Sequence, residues 1–90
     1  MKRLHIYVSG IVQGVFFRQS TLTKAKEFGI YGWVKNLRDG RVEIVCEGDE
    51  ESLKKMATWC KKGPDGAFVS GIDVQWEDFK NEFKKFQIIY

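Results

Sequence analysis

The fold is decided by one continuous stretch of the chain, Ile30-Tyr31-Gly32-Trp33-Val34-Lys35-Asn36-Leu37-Arg38-Asp39-Gly40-Arg41-Val42-Glu43-Ile44-Val45-Cys46-Glu47. Its first eight residues are rich in strand-forming side chains, and the apolar residues Val42, Ile44 and Cys46 recur at every second position. An Asp-Gly pair between two such runs is a strong hairpin signal. The stretch therefore predicts two neighbouring antiparallel strands.

Residues before this hairpin predict a strand and then a helix. Apolar side chains alternate near the N-terminus, which is the period of a strand, and they recur at helical spacing between residues 17 and 28. Gly29 stands where a helix commonly ends. The predicted inward positions are Leu4, Ile6 and Val8 on the strand, and Leu22, Ala25 and Phe28 on the helix.

Residues after the hairpin predict a second helix and two further strands. Asp49 can cap the helix, Gly63-Pro64 ends it, and its predicted inward stripe is Leu53, Met56, Ala57 and Cys60. Strands are predicted over residues 68–76, with Ile72, Val74 and Trp76 in alternation, and over residues 83–90, with Phe86, Ile88 and Tyr90 in alternation. The order β-α-β-β-α-β plus a terminal strand predicts an α+β, ferredoxin-like sandwich. Both helices cover one face of an antiparallel sheet, in a single domain over residues 1–90.

The composition limits the classes of function. The 90 residues are 43% hydrophobic, 14% aromatic and 30% charged, which is typical of a globular domain and not of a disordered chain. The net charge of +3 suits a small anionic ligand and is too weak to imply nucleic acid by itself. The sequence contains no membrane-spanning stretch and its N-terminus has no signal-peptide core, so we expect a cytoplasmic protein.

Several catalytic chemistries find no support in the sequence. The only histidine, His5, is predicted to lie on the sheet face away from the core, and the metal-binding and P-loop motifs are missing. We therefore expect no metal and no cofactor. Cys46 and Cys60 lie on apolar stripes, which predicts buried thiols, although a disulfide between them stays open. Glu43 and Glu47 are predicted to form a solvated face.

Two places in the chain can support anion chemistry. The segment from Gly10 to Arg18 lies between a strand and a helix N-terminus, where unpaired N–H groups and glycine can form an anion site beside a forked guanidinium. The alternative is an ordinary turn with a surface arginine. Asn36 ends the next strand, where it either joins such a site or begins the hairpin turn. Spacing alone leaves both alternatives open.

Two motifs resemble those of the acylphosphatase family. The first is Gly10-Ile11-Val12-Gln13-Gly14-Val15-Phe16-Phe17-Arg18, and the second is Gly32-Trp33-Val34-Lys35-Asn36, followed by Gly40, Val42 and Gly48. The resemblance implies a hydrolase that cleaves acyl phosphates to carboxylate and phosphate. It also implies that Arg18 binds the phosphate and that Asn36 positions the attacking water. The implied phosphate cradle is the backbone amides of Gly14, Val15, Phe16, Phe17 and Arg18.

The sequence departs from the family pattern at two positions. Many bacterial and archaeal members have glycine where Phe16 stands, and we expect the larger Phe16 to narrow the loop. Some members have threonine where Leu37 stands. The expected partners are a small acyl phosphate and phosphate or sulfate as a product-like ligand. We expect neither nucleic acid nor a membrane, and a monomer. Two other functions stay open, a catalytically silent anion-binding regulatory domain and an RNA-binding ferredoxin-like module. The third strand disfavours the RNA-binding module because it carries no aromatic residue.

Overall fold

The computed structural model describes residues 1–90, and its elements follow the predicted order. They are β1 (Lys2–Ile11), α1 (Phe17–Phe28), β2 (Tyr31–Asn36), β3 (Val42–Gly48), α2 (Glu50–Cys60), β4 (Phe68–Glu77) and β5 (Phe86–Ile88). No helix combines the length and the apolar character needed to cross a bilayer.

The five strands form one sheet in the order β4-β1-β3-β2-β5. β1 pairs antiparallel with β3 and with β4, and β2 pairs antiparallel with β3, so that the hairpin and the central pair are those expected of a ferredoxin-like sandwich. The short β5 runs parallel to β2. This direction follows from the connection of residues 78–85, which crosses one end of the sheet from edge to edge and returns along β2. The fold class is therefore α+β, with a mixed sheet.

The core lies between the sheet and the two helices. Leu4, Ile6 and Val8 are fully buried, as are the predicted Leu53, Met56 and Cys60 of α2. On α1 the buried residues are Phe17, Thr21 and Ala25, whereas Leu22 and Phe28 are only half-buried. Leu22 and Phe28 still pack against the core, as predicted, whereas the burial of Thr21 was not predicted because its side chain is polar. The Thr21 hydroxyl donates to the carbonyl of Phe17 at 2.8 Å, which allows it to be buried.

The prediction that Glu47 belongs to a solvated face is wrong. Glu47 is only 4% exposed, and its carboxylate accepts the N–H groups of Lys80 at 2.7 Å and Glu82 at 3.2 Å. Arg3, which is also buried, lies 3.3 Å from Glu47 and 3.0 Å from Glu77, and it also pairs with Glu82. We call these four side chains the Arg3 cluster. The carboxylate is covered because residues 78–85 pass over it.

Glu43 and His5 form a second polar pair on the same sheet face. His5 points away from the core as predicted, and its Nε2 lies 2.6 Å from Glu43 while its Nδ1 lies 3.4 Å from Glu77. The ring stacks on Tyr7 with 4.8 Å between the centroids. Glu43 is therefore half-buried beside a partner, and the prediction of a solvated carboxylate is wrong here too.

Both cysteines are free thiols in the core, as the burial prediction expected, and they form no disulfide. Burial raises the pKa of Cys46 to about 12 and raises the pKa of Cys60 as well. A thiolate is the reactive form of cysteine, so neither side chain is suited to nucleophilic chemistry at neutral pH.

Candidate functional site

The loop that follows β1 begins later than the sequence suggested. β1 continues through Gly10 and Ile11, and its register with β4 shifts between Ser9 and Gly10. Gly10 has φ +126°, and a Cβ at this position would lie 2.1 Å from the carbonyl oxygen of Phe68. Only glycine fits this close approach, because any side chain would collide with backbone. Beyond Val8 the strand no longer pairs with β3, and after the bulge it pairs with β4 alone as far as Ile11.

Two left-handed residues shape the turn into α1. Gly14 has φ +75°, and Phe16, the N-cap residue of the helix, has φ +62° and ψ +26°. A left-handed residue followed directly by helical ones turns successive N–H groups towards one side, which makes a concave anion-binding arrangement. The amides of residues 15–19 donate no backbone hydrogen bond, and the first helical bond runs from Ser20 N to Phe16 O at 3.0 Å. A row of free donors therefore stands at the positive end of α1.

Arg18 lies in the first turn of α1, next to these amides. Its guanidinium carbon is 5.1 Å from the centre of the Tyr90 ring, within the range of a cation–π contact. It forms no ion pair with any carboxylate of the chain. The planar fork is therefore held on one face by an aromatic ring, while its N–H donors are not committed to an acidic partner.

Asn36 ends β2, where its backbone pairs with Val42. Its side-chain Oδ1 is buried and has no hydrogen-bond partner. The hairpin turn is closed instead by Asp39, which accepts the N–H of Arg41 at 3.1 Å and its Nε at 2.8 Å. The Arg41 N–H and side chain hold the pKa of Asp39 below its ordinary value. Asp39 therefore closes the turn, and the side chain of Asn36 does not. The Oδ1 of Asn36 remains a buried acceptor without a partner.

Gln13 joins the loop to the hairpin and was missed in the sequence. Its Nε2 donates to the carbonyl of Leu37 at 2.7 Å and to that of Arg41 at 2.9 Å. One side chain therefore ties the segment before the free amides to the residue that follows Asn36. The available signal was a single amide side chain in an otherwise apolar loop, between Val12 and Gly14.

These groups meet in one cleft of about 290 Å³. It is lined by Val12, Gly14, Phe16, Phe17, Arg18, Gln19, Asn36, Ile88 and Tyr90. Arg18 and Asn36 therefore share a site, as predicted residues of one function should. Of the predicted cradle residues Gly14 to Arg18, only Val15 does not line the cleft, since its side chain packs towards the core. No group of three or more His, Cys, Asp or Glu side chains is arranged to hold a metal ion.

Comparison with known proteins identifies the family. The family described as Acylphosphatase matches residues 4–88 of the chain. The chain belongs to the acylphosphatase family. An acylphosphatase of Methylococcus capsulatus is 49% identical over 89 residues, which cover 99% of this chain and 97% of that relative.

Solved acylphosphatase structures share the complete fold. The crystal structure of the Bacillus subtilis acylphosphatase superposes with a TM-score of 0.96 at 38% identity and covers 100% of both chains. The structure of an acylphosphatase from Coxiella burnetii superposes with a TM-score of 0.93 at 39% identity, covering 98% of this chain and 92% of that one. The protein is thus an enzyme of the acylphosphatase class, and the resemblance found in the sequence is confirmed.

Proposed function

We propose that the protein hydrolyses the carboxyl–phosphate bond of acyl phosphates to carboxylate and inorganic phosphate, with residues 1–90 acting as one domain. The observation that carries the proposal is the cleft in which free amides and an uncommitted guanidinium lie with an unpaired carboxamide oxygen. Phosphoryl transfer depends mainly on positioning and on stabilising charge, and these groups supply both.

The phosphate is bound by the backbone amides of Gly14 to Arg18 together with the Arg18 side chain. The amides at the start of α1 carry the positive end of the helix dipole. The forked guanidinium donates to two phosphate oxygens at once, which fixes the orientation of the group as well as its charge. The Tyr90 ring lies 5.1 Å from the guanidinium carbon and makes a cation–π contact with this fork.

Asn36 positions the water that attacks phosphorus. Its buried Oδ1 has no partner in the protein and accepts a hydrogen bond from the water, which is then aimed along the axis of the breaking bond. A carboxamide suits this role because it carries no charge. A carboxylate in the same place would repel the bound phosphate.

The reaction needs no general acid from the protein. The water oxygen forms the new bond to phosphorus, and the bond to the carboxylate oxygen breaks with its electron pair on the leaving group. The conjugate acid of a carboxylate has a pKa of about 4, so the leaving group departs at neutral pH without a proton. One proton of the water stays on the oxygen that attacks phosphorus, and the other passes to another oxygen of the phosphate, so that dihydrogen phosphate and the free carboxylate are the products. His5 is not required, and it is held by Glu43 on another face of the sheet.

Steady-state kinetics with benzoyl phosphate and inhibition by inorganic phosphate test these roles. Arg18→Lys should lose both phosphate affinity and turnover, because an ammonium cannot form the bidentate contact. Asn36→Ala should keep its phosphate inhibition constant and lose about 10²-fold or more in kcat, the scale for removing one positioned polar group. Arg38→Lys and Gln75→Ala are the controls, since both residues are exposed and outside the cleft.

The outcomes separate the competing functions. Phosphate binding without hydrolysis of any acyl phosphate by the wild-type protein would identify a silent anion-binding domain. Normal kcat in Asn36→Ala would reject the role of that side chain and leave the activity itself intact.

We also propose a monomeric, cytoplasmic protein that acts on a small molecule, with phosphate or sulfate as a product-like ligand. One chain supplies every residue of the cleft, which supports the monomer. Two free cysteines, both buried, support a reducing compartment.

A further inference from the structure

The cleft has an apolar mouth that phosphate binding does not use. Phe16 is 82% exposed and Tyr90 is 96% exposed, although both are aromatic and both line the cleft. Half-buried Ile88 lies with them. Free amides, Arg18 and Asn36 are sufficient for the phosphate and the water. The apolar side chains therefore require another explanation.

The backbone of Phe16 strengthens this argument. Phe16 holds a left-handed conformation with φ +62°, which is unfavourable for a bulky side chain and free of cost for glycine. The cradle needs this backbone shape, but it does not need a phenyl ring. Backbone strain of this kind clusters at functional sites, and here the chain keeps a phenyl ring where glycine would remove the strain. That ring is directed outward to solvent, at the entrance to the phosphate site.

The size of the cleft indicates where the remainder of a substrate must lie. Its volume of about 290 Å³ is at the lower end of the range for small-molecule pockets. A phosphate in the amide cradle leaves little enclosed space for the acyl group. The far part of that group therefore extends to the mouth, where the rings of Phe16 and Tyr90 stand. Tyr90 already stacks on the guanidinium that binds the phosphate.

We propose that Phe16 and Tyr90 bind the acyl group and make the enzyme selective for acyl phosphates whose acyl group is planar and apolar, such as benzoyl, over small ones such as acetyl. This proposal rests on the proposed function of the cleft. Offset and edge-on contacts between aromatic rings are favourable beyond the area they bury, and an acetyl group cannot make them.

The test is the ratio of kcat/KM for benzoyl phosphate to kcat/KM for acetyl phosphate. The ratio cancels any effect of a mutation on the shared phosphate site. Phe16→Gly and Phe16→Asn both accept the left-handed backbone, and each should lower the ratio by about 3- to 10-fold. Phe16→Tyr keeps a ring and should keep the ratio. Tyr90→Leu should lower it and Tyr90→Phe should not.

Phe68 provides a matched control. It is 64% exposed, lies on β4 and does not line the cleft, so Phe68→Asn should leave the ratio within twofold of wild type. An unchanged ratio in Phe16→Gly and Tyr90→Leu, with both substrates still hydrolysed, would overturn the acyl-binding role alone. Failure of the wild-type protein to hydrolyse either substrate would instead overturn the proposed function.

Discussion

Replacing Gln13 with alanine tests whether one side chain holds the two halves of the cleft together. The mutation removes two hydrogen bonds, of 2.7 Å to the Leu37 carbonyl and 2.9 Å to the Arg41 carbonyl. Each is worth about 0.5–1.5 kcal/mol. Both carbonyls keep a second donor, from Gly40 N–H at 3.2 Å and Leu37 N–H at 2.8 Å. The loss should therefore be about 1–2 kcal/mol in the free energy of unfolding.

The effect on catalysis should be larger than the effect on phosphate binding. In this variant the phosphate-binding amides and Arg18 stay in place on the loop and on α1. Asn36, by contrast, directly precedes Leu37, whose carbonyl loses the hydrogen bond from Gln13. A misplacement of about 1 Å can cost about 10²-fold in rate, so we expect kcat to fall by roughly 10-fold or more. The inhibition constant of phosphate should change by less than about 3-fold, since a shift of 1.4 kcal/mol would be needed for 10-fold. Gln13→Glu should be worse, because a carboxylate would face two carbonyls and the anion site.

Thermal unfolding, steady-state kinetics with an acyl phosphate and phosphate inhibition measure these quantities. A loss of 1–2 kcal/mol should lower the Tm by about 5–15 °C in a domain of this size. Gln75→Ala removes an exposed glutamine from β4 and is the matched control. If Gln13→Ala unfolds at the wild-type temperature and turns over normally, the side chain does not join the loop to the hairpin. Equal losses in kcat and in phosphate affinity would mean that it supports the cradle and not Asn36.

Three further predictions concern stability. Burial alone would raise the pKa of Glu47, but the N–H groups of Lys80 and Glu82 and the Arg3 guanidinium outweigh it and lower the pKa below 4.5. The stabilisation by Glu47 is therefore complete above pH 4.5 and is lost as the pH falls through the lower folded-state pKa. Denaturation at several pH values should show a flatter acid dependence in Glu47→Gln, which should also lose about 3 kcal/mol at neutral pH. Cys46 and Cys60 should resist a thiol reagent until denaturant is added, and rapid labelling of the folded protein would contradict their burial. Gly10→Ala should lower the free energy of unfolding by about 3 kcal/mol or more. Gly71→Ala, where a Cβ meets nothing within 4 Å, should leave it nearly unchanged. Equal Tm values for the two variants would refute the close approach at Gly10.

Patterns local in sequence were sufficient for most of the fold. The hairpin around Asp39-Gly40, the stripe on α2 and the alternation on β1 each follow from a short window, and each is found as predicted. Alternation was a weaker guide near the end of the chain. The strand predicted to run to residue 90 ends at Ile88, and Tyr90 is exposed in the cleft. β5 pairs with β2 only after residues 78–85 have crossed the whole sheet, and alternation within the strand does not report that crossing.

Features that depend on distant contacts could not be predicted. Burial of Glu47 depends on amides 33 and 35 residues further along the chain, and no local pattern reports such a contact. The hydrogen bonds of Gln13 span 24 and 28 residues for the same reason. Arg18 and Asn36 were found through motifs, since their spacing alone favoured an ordinary turn. The strain at Phe16 is a property of its backbone angle φ, which no sequence pattern reports.

The Arg3 cluster lies at the end of the sheet opposite the cleft, yet it anchors the segment that leads to part of the cleft's wall. Residues 78–85 contain no helix or strand, and they are anchored where Lys80 and Glu82 donate to Glu47. Beyond that anchor the chain enters β5 and supplies Ile88 and Tyr90. Weakening the anchor would let the terminal segment detach while the central strands persist, which is a local opening and not global melting. A substitution at the far end of the molecule can therefore open the mouth of the cleft under conditions in which the central strands remain folded.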